Sequence, residues 1–152
     1  MLIPPSFIPR PEELPRDPLP EAEELDWSIN TDFMPRLQSC SSRALTAFGV
    51  ACVGWLRWRV SRLHDDPWVD GYLEALWSEL AGGESVLRWR PSIRREQGLV
   101  AVLARLACVE LGVIRRDPDL AARVGSAALL SALVRSVLDE RAHSFIAWCD
   151  AV

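Results

Sequence analysis

The distribution of proline limits this fold more than any other feature of the chain. Eight of the eleven prolines lie in residues 1–35, at positions 4, 5, 9, 11, 15, 18, 20 and 35. Each ring fixes φ and removes an amide donor, which argues against helix and central strand before Pro35. The three later prolines, Pro67, Pro91 and Pro118, stand far apart, where helices would start. The chain therefore divides into a proline-rich arm, residues 1–35, and a body, residues 36–152.

The arm is not a plain linker, because Leu2, Ile3, Phe7, Ile8, Leu14, Leu19, Leu25 and Trp27 are spread through it. That apolar content predicts extended, polyproline-like stretches lying across the body or a partner, with a short helical turn around Glu21–Leu25. Charge divides at the same place. Residues 1–35 hold eight acids against Arg10 and Arg16, a net of −6, and the body holds thirteen acids against fifteen arginines, a net of +2. With −4 overall there is no global basic field for nucleic acid. All seventeen basic residues are arginine. Absence of lysine excludes Schiff-base chemistry and the lysine-dependent phosphate loop. The bias matches a GC-rich genome, and also a demand for planar donors to carboxylate or phosphate.

A chain of 152 residues, 49% hydrophobic, has the size of one domain and buries enough surface to need no disulfide or metal staple. Cys40, Cys52, Cys108 and Cys149 form no CxxC pair. With no basic, apolar leader at the start, reduced thiols in the cytoplasm are expected. The longest uncharged apolar run is Ala44–Leu56, thirteen residues. A span needs about 20, so this run predicts a buried helix and no membrane crossing.

Helical signals fill the body. A first helix is expected over Pro35–Leu63, with Leu37, Leu45, Phe48, Cys52, Trp55 or Leu56, and Val60 at helical spacing. Asp66 caps a second from Pro67 to Leu80, which stops at Gly82-Gly83. A third runs from Pro91 to Arg116, with Arg115 and Arg116 at its negative end. Asp117-Pro118 repeats the start signal for a fourth, reaching Cys149. The expected fold class is all-α: four main helices as two helical hairpins, in a bundle or hairpin stack, with an extended proline-rich N-terminal arm. Helix four carries a wide apolar stripe that includes Leu120, Val124, Val134, Leu138, Phe145 and Trp148. Such a helix is buried on several sides or meets a second chain. Gly98, Ala101, Cys108 and Gly112 would let another helix approach helix three closely.

Candidate chemistry is sparse. Glu140 and His143 form a Glu-x-x-His step, but the only other histidine, His64, has no matching glutamate, so a dinuclear site lacks half its ligands. Cys40 has no evident base and suits the first turn of helix one. Asp65 and Asp66, with Asp117 and Asp119, are accounted for as caps. No catalytic, cofactor-binding or metal-binding set emerges.

The aromatic content stands out: seven tryptophans, two of them within Arg57-Trp58-Arg59 and Arg88-Trp89-Arg90. Arginine beside tryptophan makes a surface that pairs carboxylates and buries area, fitting an acidic protein, the chain's own arm or, least well, a single strand of nucleic acid. The same pattern fits tryptophans in the core with arginines reaching out to solvent.

The stretch with Ala51-Cys52, Trp55-Leu56, Arg62-Leu63, Asp65-Asp66-Pro67 and Tyr72-Leu73-Glu74-Ala75 resembles hairpins of small helical immunity proteins of bacterial toxin systems, over residues 44–83. That resemblance implies a protein that binds one cognate toxin, occludes its active site and catalyses nothing. The partner-binding residues expected are Arg57, Trp58, Arg59, Asp65, Asp66, Trp68, Tyr72, Arg88, Trp89 and Arg90. No cofactor is expected, and the expected partner is a protein such as a toxin, with no nucleic acid or membrane. The alternative is a homodimeric regulatory or scaffold protein, and a metal-assisted enzyme using Asp and Arg ranks third.

Overall fold

The computed structural model describes residues 28–60, 67–82, 99–138 and 142–151. All regular structure among them is helical: a 3-10 turn, Thr31–Phe33, then α1 (Met34–Ser39), α2 (Ser42–Val60), α3 (Pro67–Leu80), α4 (Leu99–Arg116), α5 (Leu120–Leu138) and α6 (Ala142–Ala151). The all-α expectation therefore holds.

Helical structure starts earlier than the proline density suggested. Asn30 Oδ1 accepts from the Asp32 amide at 3.0 Å and starts the 3-10 turn. Pro35 then falls in the first turn of α1, where a missing amide costs nothing. The expected helix from Pro35 to Leu63 is broken at Cys40, whose ψ of 144° is extended. Ser41 restarts it, its Oγ accepting from the Ala44 amide at 3.2 Å. Cys40 thus terminates α1 and occupies no first turn. The serines compete for backbone groups at this point and break the helix.

At α3 the sequence signals hold. The helix starts at Pro67 and ends before Gly82, whose φ of 91° suits glycine above all other residues. The next start is two residues later than expected. Asp117 Oδ1 accepts from the Asp119 amide at 2.8 Å in a turn around Pro118, and Asp119 Oδ1 accepts from the Ala121 amide at 3.0 Å. Asp119 is therefore the N-cap of α5. Residues 83–98, and with them the expected helix start at Pro91, lie outside the described residues.

The expected single helix from Pro118 to Cys149 is replaced by two. Phe145 and Trp148 of α6 meet Trp55 and Phe48 of α2, and α6 packs against α5, contacts that one continuous helix could not make. Folding back buries Phe145 and Cys149 of α6, which a straight continuation would leave in solvent.

Helices α2, α4 and α5 make the centre. Gly49 marks the closest approach, since a Cβ there would lie 2.9 Å from Ile114 Cδ1 and 3.0 Å from Leu111 Cδ1. Among the described residues α5 packs against α1, α2, α4 and α6. That explains its apolar width within a single chain: Val124, Ala127, Leu130, Leu133, Val134, Val137 and Leu138 are all buried. The exception is Leu120, expected in the stripe and 47% exposed. By length and apolarity α5 would pass for a membrane-crossing helix, and half of that stretch is buried inside the fold.

Candidate functional site

The Arg57-Trp58-Arg59 segment lies in the last turn of α2. Its three side chains take different environments, because consecutive residues on a helix point about 100° apart. Arg57 turns toward α3 and grips Asp70 with two bonds, Nε to Oδ1 at 2.8 Å and Nη2 to Oδ2 at 2.9 Å. Trp58 is half-buried and meets Trp55 edge-on, ring centroids 6.0 Å apart. Arg59 is buried, with 4% exposure. These residues do not form the flat Arg-Trp-Arg surface the sequence suggested. They close one end of the core.

Trp58 ends a longer series of rings. Phe33 lies 5.5 Å from Phe48, Phe48 stacks on Trp148 at 5.6 Å, and Trp148 meets Phe145 at 5.7 Å. Phe145 then meets Trp55 at 5.7 Å, edge-on. Six rings from the 3-10 turn, α2 and α6 thus form one continuous packing unit. Each pair adds about 0.5–1.5 kcal/mol beyond area burial. Much of the unusual tryptophan content therefore works in packing.

Tyr72 sits half-buried on α3, and burial pushes its hydroxyl pKa up, with Cys108 of α4 adding to the rise. Beside it, Arg115 of α4 holds Glu79 of α3, Nη2 to Oε2 at 2.5 Å. Arg115 stands in the last turn of α4, as expected, and also reaches across to α3. Asp65, Asp66, Arg88, Trp89 and Arg90 lie outside the described residues, as does the side chain of Trp68.

Arginine bonding to helix ends and backbone carbonyls was not legible in advance. Arg123 of α5 donates to Ile114 O at the end of α4 (2.5 Å) and to both Ser42 Oγ (2.6 Å) and Ser42 O (3.0 Å) at the start of α2. Arg43 donates to Leu80 O at the end of α3. Arg36 donates to Asp150 O (3.0 Å) and Asp150 Oδ1 (3.2 Å) at the end of α6, and its guanidinium lies 5.4 Å from the Phe33 ring centre. Arg135 donates to Ser28 O at 2.7 Å and fixes the root of the arm. A cation over the last carbonyls of a helix complements its negative end. The sequence signal was present, because these arginines stand near helix termini, but their partners are distant in sequence.

The thiols are poorly placed for nucleophilic work. Burial pushes the Cys52 pKa well up, and it pushes Cys149 to about 12. Cys40 Sγ donates to Arg36 O at 3.4 Å. Of the Glu-x-x-His step, His143 is exposed on α6 and Glu140 lies outside the described residues. No group of three His, Cys, Asp or Glu residues that could hold a metal ion occurs among the described residues.

One face of α3 is outward and polar. Asp70, Gly71, Glu74 and Ser78 are exposed along it, above the buried Leu73 and Leu76. Comparison with protein-family models, curated proteins and solved structures gives no match for this chain.

Proposed function

We propose that this chain is a non-enzymatic binding protein that neutralises a cognate bacterial toxin by occlusion, working in the cytoplasm with its thiols reduced. The observation supporting this reading is the outward face of α3, where Asp70, Gly71, Glu74 and Ser78 are exposed side by side. The exposed Glu74, beside an Asp70 that Arg57 holds, stands on a helix braced by buried leucines, and surface charge of this kind governs partner choice and encounter rate. Tyr72, half-buried on another side of α3, supplies an amphipathic ring of the kind found in binding hot spots. Occlusion requires shape and charge there, and no reacting group. The two-hairpin arrangement, α2 with α3 and α4 with α5, and the proline-rich arm complete the binding unit.

Glu74→Arg with Ser78→Arg tests this reading. The tagged wild-type chain is expected to capture one dominant partner, whose toxicity it suppresses when the two are expressed together. The double variant should keep its helical circular dichroism and lose both properties. Equal protection by wild type and variant would remove α3 from the proposal. Trp58→Ala is a poor probe of binding, because its ring packs on Trp55 and its loss weakens the fold.

The homodimer reading has one observation in its favour. Val109 of α4 is 54% exposed, and Gly112, one turn on, has open space around its Cα. Val109→Glu would convert a dimer to a monomer in sedimentation and leave a monomer unchanged.

A further inference from the structure

Helix α3 is attached differently from every other long helix. Its main neighbour among the described residues is α2. Arg57 of α2 binds Asp70 near the start of α3, and Arg43 of α2 binds the Leu80 carbonyl at its end. The two helices therefore run antiparallel. Positions 43, 47, 50, 54 and 57 share one face of α2, so α3 lies along the stripe that includes the buried Val50. Among the described side chains of α3, Leu73 and Leu76 are buried, and Tyr72, Trp77 and Leu80 are half-buried against the core. A fourteen-residue helix is marginal alone in water, and Gly71 in its second turn weakens it further. The Arg115–Glu79 pair secures its far end to α4.

We propose that α3 is a strap with polar clasps at both ends, which opens as a unit while α2, α4 and α5 stay packed. Opening breaks the Arg57–Asp70 and Arg115–Glu79 pairs and the Arg43 bond to the Leu80 carbonyl, and it uncovers the stripe of α2 around Val50. Ionic strength sets the open population, because the clasp carboxylates are partly exposed, Asp70 at 52% and Glu79 at 33%. The strap does not depend on the toxin-binding reading, since it concerns the isolated chain.

Native-state hydrogen exchange of the full chain tests it, measured in rising urea below the unfolding transition. The amides of Leu73–Leu80 are expected to exchange at least about tenfold faster than those of Ala127–Val137, with a smaller urea dependence. Raising salt from about 0.05 to 1 M should speed the α3 amides about threefold and leave α5 unchanged. Asp70→Asn with Glu79→Gln should reproduce the salt effect at low salt. Identical rates and urea slopes for the two helices in the wild type would overturn the proposal. So would a variant that accelerates both equally.

Discussion

The centre of the molecule and its α3 margin reach the folded state by different physical routes. In the centre, Leu45, Leu111, Ile114, Leu130 and Val134 are fully buried, and α5 is enclosed by four other helices. Burial of a leucine or isoleucine is worth about 1.5–3 kcal/mol, so this region is held by area and packing. At the margin two leucines are buried, and arginines hold both helix ends. Exposed ion pairs contribute about 0–1 kcal/mol each and weaken with salt. Packing thus fixes the arrangement of α2, α4, α5 and α6, and directional polar contacts fix the position of α3.

The largest expected effect falls on the centre. Phe145→Ala removes the ring that joins Trp55 to Trp148, and it should lower unfolding free energy by about 3–5 kcal/mol in urea titration. Gly49→Val drives a branched side chain into Ile114 and Leu111, with an expected loss of about 1–3 kcal/mol. A cost below about 0.5 kcal/mol would mean that the α2–α4 crossing is looser than its geometry.

Cys149 predicts a pH dependence for the centre. Its pKa is raised from about 9 to about 12, mainly by burial. Below pH 9 both states carry the proton and the stabilisation is complete. Between pH 9 and 12 the unfolded chain loses the proton while the folded chain keeps it. Stability should therefore fall by about 1.4 kcal/mol per pH unit from this group alone. Urea midpoints at pH 8 to 11 test this, and Cys149→Ala should flatten the slope.

The smallest effect belongs to the margin. A double-mutant cycle on Arg57 and Asp70 should give a coupling of about 0.5–1 kcal/mol that shrinks in 1 M salt, because Asp70 is half-exposed. A salt-independent coupling above 2 kcal/mol would place this pair with the buried contacts of the centre.

Much of the fold was legible because helix starts and stops are local chemistry. Pro67, Gly82 and the Asp117–Asp119 turn stand where propensity puts helix boundaries. The division into α5 and α6 was not, because residues 138–142 carry neither glycine nor proline, unlike the two ends of α3 at Pro67 and Gly82. There the driving force is tertiary, with Phe145 and Trp148 reaching the rings of α2. The candidate site was less legible still. Arg57-Trp58-Arg59 is the same three letters whether exposed or packed, and only the tertiary packing decides that Arg57 binds Asp70 and Arg59 is buried. The α3 face was partly visible, since Glu74 lies in the Tyr72–Ala75 stretch that carries the resemblance, while Ser78 carries no signal of its own.

Two leucines of equal burial separate the two routes most directly. Leu130 in α5 is 0% exposed and Leu76 in α3 is 1% exposed. Each can be changed to alanine and the main urea transition followed by circular dichroism. The account predicts a loss of about 2–5 kcal/mol for Leu130→Ala and less than about a third of that for Leu76→Ala. Equal shifts would contradict it and make α3 as much a part of the cooperative core as α5.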